Sequence, residues 1–468
     1  MGAAAAGQQP IPPWALYGAV GAAAALIGVL AGANPPVGIA AALGIAFVVL
    51  TMADLTAGFC MFAGLTFVDQ VLPTAGVLSL TKVMGLLLLL SWVAVITVGG
   101  RSARRSELFS HPWFLYVLVL FGAWIAISAT WAEERGAALT GLVQFIPLAA
   151  LFLIVFTAVR TRGQALAVIA AFTVGAMVSA AYGLAVPTDP TATDRLSGGA
   201  GNANETAAAL VAGAALLGAL AAGLRTHPAL RLLAAIGVPF LVLGIFLTLS
   251  RGGLVAMAAA LVATIAFAGR WRPQAVGLAI VGLLSAVVYF GAFAPEGAKE
   301  RVTTLGGGTG RTDVWTIGWR MVEEHPIRGI GNGNFANTSV HYLLQPGAIV
   351  RDDFIIDTPK VAHNSYLEVL AELGVVGLVL FLTVLGFALA CIVKAAWLFE
   401  RMGDRQMELL SRALFVALVG LLASDFFGSR QFEKQLWLLL ALGPAFLALA
   451  RAQLEERRSS ERALPAIE

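Results

Sequence analysis

Residues 363–397 read HNSYLEVLAELGVVGLVLFLTVLGFALACIVKAAW. Beyond Glu372 the only charge is Lys394, and the stretch is long enough to cross a hydrocarbon layer of ~30 Å as one helix. The same character extends along the chain. Of 468 residues, 59% are hydrophobic and 12% charged, with mean hydropathy +0.85. Soluble domains carry roughly 25% charged residues, so most of this chain has lipid as its solvent. A transmembrane barrel would show short alternating segments. The continuous runs here predict helices, and the fold class is an all-α polytopic membrane protein.

Apolar runs fall at 14–33, 36–52, 55–72, 76–98, 112–130, 139–159, 165–186, 205–223, 231–249, 253–269, 275–294, 372–397, 409–424 and 435–450. They predict 12–14 transmembrane helices. Asp54 interrupts the first three runs, so one or two of these are read either as spans or as re-entrant segments. The expected organisation is N-terminal transmembrane helices over 1–294, an extracytoplasmic loop subdomain over 295–363, C-terminal transmembrane helices over 364–450 and a cytoplasmic tail over 451–468. The N-terminus has no basic segment before its first apolar run, so that span is expected to be retained rather than cleaved. Cys60 and Cys391 lie inside apolar runs without metal-ligand spacing and are expected as small buried hydrophobes.

The net charge of +3 says less than its distribution. Arg101, Arg104 and Arg105, then Arg160 and Arg162, Arg225 and Arg231, Arg270 and Arg272, Lys394, Arg401 and Arg405, and finally Arg451, Arg457, Arg458 and Arg462 occupy alternate connections. The positive-inside rule assigns these to the cytoplasm, with both termini. The remaining long connection, roughly 70 residues, is of the length that is functional or disordered. Two helical segments are expected in it, near Thr312–Glu323 and Phe335–Leu344, separated by the turn-forming run Gly329–Asn334. Trp315, Trp319, Phe335, Tyr342 and Phe354 predict a packed subdomain.

Candidate chemistry gathers on that extracytoplasmic side. A Gly/Asn-rich loop contains Arg195, Asn202 and Asn204, and a short turn reads Ser250-Arg251-Gly252-Gly253. The long loop contributes Gly310-Arg311, Trp315 and His363-Asn364. Arginines at span ends often snorkel to lipid phosphates without a specific partner. Arg251 is held at the boundary by a turn too short to let it wander. The run Gly306–Gly310 lacks the Lys-Ser/Thr of a nucleotide loop and reads as a hinge. Asp352 and Asp353 diverge as neighbours and have no second ligand pair, so no metal is expected. His325 and His341 read as surface residues.

His363 is placed near the start of a helix, whose dipole disfavours imidazolium and keeps the ring neutral, as a general base requires. Capping, or hydrogen bonding to loop backbone, is the competing reading. Gly374 and Gly377 are expected to let another helix approach and fix the histidine. Several guanidinium groups at one face suit a pyrophosphate, which they can grip by paired charge-assisted hydrogen bonds and neutralise as it departs.

These residues resemble the O-antigen ligase and polymerase superfamily of membrane glycosyltransferases. Its signature is His, then Asn, Ser or Gln, nine residues, Gly, two residues, and Gly or a similar residue. His363-Asn364, Gly374 and Gly377 match it without a gap. Arg195 with its Gly/Asn-rich segment, Ser250-Arg251-Gly252, and Gly310-Arg311 with Trp315 resemble family elements in the same order, over about residues 190–380. The resemblance implies a GT-C-type fold in the bacterial inner membrane. The reaction it implies is transfer of a glycan from undecaprenyl pyrophosphate to an acceptor hydroxyl at the periplasmic face, inverting and without metal or cofactor. Carried over by position, His363 is the base. Arg195, Arg251 and Arg311 hold the pyrophosphate, supported by Asn364, Asn202, Ser250 and Trp315. The expected partners are the lipid-linked donor, a lipid A-core or glycan acceptor and membrane lipids, with no nucleic acid. The motif does not separate a ligase, the first reading, from a polymerase or a protein O-oligosaccharyltransferase. A lipid-linked glycan transporter is the rival of another class, though the paired half-repeats it would show are not visible.

Overall fold

A computed structural model describes residues 13–67, 80–98, 112–186, 195–223, 227–294, 296, 299, 310–343 and 360–463. The run Gly306–Thr309, the pair Asp352 and Asp353, Phe354, Asp194, and the arginines Arg101, Arg104, Arg105 and Arg225 lie outside them. Among the described residues all regular structure is helical. The N-terminal part comprises α1 (Pro13–Ala33), α2 (Pro35–Ala53), α3 (Leu55–Leu65), α4 (Leu80–Val98), α5 (Pro112–Ser128), α6 (Arg135–Ala158) and α7 (Arg162–Ala185). Next come α8 (Ala203–Gly223), α9 (Pro228–Leu247), α10 (Arg251–Phe267) and α11 (Arg272–Val288). The long loop contributes α12 (Arg311–Glu324) and α13 (Phe335–Leu343), close to the two helices expected there. The chain ends in α14 (Ser365–Met402), α15 (Arg405–Asp425) and α16 (Lys434–Ala463).

Among the described residues, eight helical segments are long and apolar enough to cross a membrane: α6, α7, α8, α9, Gly269–Phe293, α14, α15 and Lys434–Glu461. Six further apolar segments, Gly21–Ala33, Val37–Ala53, Leu55–Leu65, Lys82–Ala94, Trp113–Ser128 and Arg251–Phe267, are shorter. The chain is a polytopic all-α membrane protein. Asp54 is the reason the first runs do not fuse. It ends α2, and its carboxylate caps α3 by accepting from Thr56 N at 2.8 Å. At ~1.5 Å per residue, the 11 residues of α3 are too short to span.

α8 is the most enclosed element of the early spans, buried along much of its length between α9, α10 and α15 by small residues such as Ala207, Ala208, Ala212 and Gly213. α14 and α16 pack along each other, with Trp437 fully buried edge-on to Phe145 and Phe152 at 5.5 and 5.6 Å. Cys391 is buried and Cys60 half-buried, both as thiols.

The basic connections meet at one end of the bundle. Arg162 pairs with Asp404 at 3.3 Å, Arg270 with Glu408, and Arg412 with Glu400 at 2.9 Å and Glu408 at 3.1 Å. Arg457 donates to Met402 O at 2.6 Å. α16 therefore continues into the expected tail as far as Ala463 and sets Arg457 on the end of α14. The loops that hold the candidate site lie at the opposite ends of the same helices.

Gly374 corrects one expectation. It does not admit a neighbouring helix but breaks its own, with φ 67° and ψ −171°, splitting α14 into an arm from Ser365 to Leu373 and a long apolar section. The run Gly329–Asn334 docks in the break. Ile330 N donates to Ala371 O at 3.0 Å, Gly331 N to Glu372 O at 2.8 Å, and Trp124 Nε1 to Leu373 O at 2.8 Å. These donors take up carbonyls that the kink releases. The Glu372 carboxylate then accepts from Gly333 N at 2.7 Å and Phe335 N at 2.9 Å, capping α13. Val314, Ile317, Met321, Ile330, Phe335, Tyr342 and Leu343 form a separate small core with Ala362 and Ala371. Trp319 stays exposed. A Cβ at 374 would sit 2.1 Å from Ile327 O, and one at 377 would meet Leu373 of the same helix. Gly374→Ala is therefore expected to cost about 1–3 kcal/mol for backbone conformation alone, with the overlap added. A clearly lowered melting temperature in detergent checks this; a wild-type value would contradict the docking geometry.

Candidate active site

Three loops converge at the end of the bundle opposite the basic connections. The first is the 195–206 segment. Arg195 donates through Nε to Thr248 O at 3.0 Å and through Nη2 to Asn204 Oδ1 at 3.3 Å. Ser250 Oγ donates to the same Asn204 oxygen at 2.7 Å, and Asn204 N donates to Asn202 Oδ1 at 2.9 Å. Asn204, which the sequence reading quoted without assigning it a role, is thus the hub that gathers Arg195, Asn202 and Ser250. Ser250 also caps α10, accepting from Gly253 N at 3.0 Å. Arg251 is therefore the first residue of a helix whose positive end faces this loop.

The second is the segment before α14. Asn364 is the N-cap, its Oδ1 accepting from Tyr366 N and Leu367 N at 3.1 Å each, so the helix begins at Ser365. Capping is therefore Asn364's work, and His363 is released from it. Ala362 is held from both sides. Its carbonyl accepts from Trp315 Nε1 at 3.0 Å, and its N–H donates to Glu368 Oε2 at 3.0 Å. His363 is left half-buried with φ 50°. The only other non-glycine residue at positive φ among the described residues is Leu249, just before Ser250-Arg251. Both strained residues thus adjoin candidate functional side chains, where strain is commonly stored.

The third is the hairpin 426–433 between α15 and α16, which joins the other two. Ser365 Oγ donates to Gly428 O at 2.8 Å and accepts from Arg430 N at 2.8 Å. Ser429 and Gln431 donate to the Glu368 carboxylate, the latter at 2.8 Å. Phe426 and Phe427 pack against Trp315 at 5.5 and 6.5 Å. On its other side Phe427 lies 3.3 Å from where a Cβ of Gly252 would be. The Arg251 turn, the Trp315 helix and the His363 arm therefore share one scaffold. Arg311, at the start of α12, completes the set.

Burial lowers the pKa of His363 from its usual 6.5, and the positive charges of Arg311 and Lys360 lower it further. The sequence reading expected a neutral ring from the helix dipole; desolvation is the leading cause. Arg311 is thus within electrostatic reach of the imidazole. Arg251 is linked to the histidine arm only through its neighbour Gly252, Phe427 and Ser365, and Arg195 only through Asn204 and Ser250.

Sequence reasoning missed the buried polar groups beneath these loops. Asp425 and Arg430 pair at 2.6 Å, both almost fully buried. With Glu205, Glu433, Ser179 and Thr206 they line a cavity of about 30 Å³, room for a water molecule. The signal was present: Glu205 and Asp425 belong to apolar helices, where an ionisable side chain shut off from water is costly. Among the described residues, no group of three or more His, Cys, Asp or Glu side chains could hold a metal ion.

Fold and loops together define a multi-pass all-α membrane protein that gathers arginine- and histidine-bearing loops at one bundle end. Residues 236–382 match the family model described as O-Antigen ligase, and over that stretch the chain is similar to the O-antigen ligase-like superfamily. The match includes Ser250, Arg251, Arg311, Trp315, His363, Asn364, Gly374 and Gly377; Arg195 and Asn202 precede it. No curated protein matches the chain.

Proposed function

We propose that the protein is an O-antigen ligase-like glycosyltransferase. In this reading it moves a glycan en bloc from undecaprenyl pyrophosphate to a sugar hydroxyl of a lipid A-core acceptor, at the periplasmic face of a bacterial inner membrane. The observation that carries the reading is the 426–433 hairpin, which joins a neutral, half-buried histidine to an arginine at a helix start. His363 takes the proton of the acceptor hydroxyl as that oxygen attacks the anomeric carbon from the face opposite the leaving group. Arg195, Arg251 and Arg311 bind the pyrophosphate and neutralise the charge that develops as the glycosidic bond breaks. The positive end of α10 adds to this at Arg251. Asn202 and Ser250 hold the arginine loop in place, and Asn364 and Trp315 the histidine segment. A basic end facing the cytoplasm would put this site on the outer side.

The acceptor is tested with purified protein and a lipid-linked glycan, supplied with or without lipid A-core, and products weighed by mass spectrometry. Glycan joined to the core is expected. Chains of repeating units formed without core would replace the ligase reading by the polymerase one, and intact donor under both conditions would overturn both.

The imidazole must be neutral to act, so activity is lost as pH falls through its pKa. Because that pKa is lowered, the acid limb of kcat/KM is expected below pH 6.5. Arg311→Ala removes a positive charge and should move the limb upward. A limb that stays in place in this variant would separate Arg311 from the histidine.

A further inference from the structure

Glu368 lies in the first turn of α14, is 6% exposed, and gathers donors from two directions. It stands one place beyond the position from which a capping box reaches back to the N-cap. Its carboxylate passes over Asn364 instead, and Oε2 accepts from Ala362 N at 3.0 Å. Ser429 Oγ donates to the same oxygen, and Gln431 Nε2 donates to Oε1 at 2.8 Å. These partners are all neutral, and a carboxylate shut away from water among them is costly to keep as mere packing. The cost points to a task.

That task is visible in the backbone. Ala362 is fully buried and gripped on both sides, its N–H by Glu368 and its carbonyl by Trp315 Nε1 at 3.0 Å. The next residue, His363, sits at φ 50°, a conformation that persists in a side-chain-bearing residue only where its neighbours over-determine it. Asn364 fixes the chain on the far side. We propose that Glu368 is a positioning residue for His363: its carboxylate pins the backbone before the imidazole to the 426–433 hairpin and so sets where the ring stands. Without that carboxylate the N–H side of Ala362 is released, the left-handed backbone at 363 is free to relax, and the ring leaves its half-buried place. Relief of the strain offsets part of the lost bonding, so the change falls on the imidazole more than on the fold. The effect on rate rests on the glycosyltransferase reading; the effect on the ring does not.

The test uses the full-length protein in detergent and reads the ring and the rate separately. Glu368→Leu keeps the bulk and removes the acceptor. Its kcat is expected to fall about 10–10²-fold, the loss that a misplacement of about 1 Å brings, with KM for the lipid-linked donor little changed. The His363 ring is followed by NMR of labelled histidine, its signal assigned with His363→Ala. In Glu368→Leu it should titrate closer to the usual 6.5, because burial, the leading cause of its lowered pKa, is relieved. Arg311 and Lys360, the charges that also act on the ring, are untouched. Glu368→Gln should recover most of both readouts. Its amide oxygen can accept from Ala362 N and Ser429, and Gln431, whose Oε1 has no hydrogen-bond partner, can turn its own amide to receive the new NH₂. Where Glu368→Leu does not fold, Glu368→Asp, one methylene shorter, withdraws the carboxylate from Ala362 N with its charge kept and is read in the same way. A folded variant of either kind with wild-type kcat and wild-type ring titration would overturn the proposal, leaving Glu368 as a tie between arm and hairpin that shows only in the melting temperature. An equal loss in Glu368→Gln would also overturn it, since charge and not the clamp would then be what counts. A ring that moves as expected in a protein that transfers no glycan would leave the clamp standing and remove the enzymatic reading.

Discussion

His363→Ala should reduce glycan transfer by about 10²–10⁴-fold, the range a general base supplies, with insertion and folding intact. The backbone argument makes this a clean experiment. Asn364 caps α14, and Ala362 is anchored by Trp315 and Glu368, so the imidazole itself carries none of these contacts. Alanine at φ 50° is more strained than glycine and somewhat more than histidine, so the melting temperature of the variant is the control. A variant that melts like the wild type yet makes no product identifies the ring as the reacting group. Normal product yield would remove the base assignment and, with it, the reason for a neutral histidine beside Arg311.

Arg251→Lys should lower kcat by about 10–10³-fold, the larger figure being the loss of one transition-state donor. Charge is conserved in this change, and so is the α10 cap, which belongs to Ser250. What disappears is the planar fork that meets two phosphate oxygens at once. A surface arginine that only snorkels to lipid would tolerate lysine with little change. Wild-type turnover in the lysine variant would therefore remove Arg251 from the pyrophosphate site, while a loss restricted to KM would make its contact equal in ground and transition states.

Much of this architecture is legible in the sequence because its causes are local. Apolar runs must be helical in lipid, since no water satisfies their backbone there. Arg311–Glu324 and Phe335–Leu343 emerge nearly where their patterns put them. The histidine was visible for a similar reason, being polar at the mouth of a long apolar helix. Gly374 was noticed, but its role was not. Spacing cannot distinguish a glycine that admits a neighbouring helix from one that breaks its own. Here φ 67° and the docking of Ile330 and Gly331 decide for the break. Asn204, Glu368 and the 426–433 hairpin were missed for another reason. Each acts through partners distant in the chain, Ser250 in one case and Ala362, Ser365 or Gly252 in the others.

Composition and motif alone settled that the chain is helical and membrane-embedded, with its polar candidates in the connections on one side, because burial in hydrocarbon and charge asymmetry act residue by residue. Only the fold in three dimensions decided that the Arg251 turn, the Trp315 helix and the His363 arm share a scaffold, and what holds the imidazole neutral. Those outcomes depend on hydrogen bonds and desolvation between segments far apart in sequence, which no local pattern encodes.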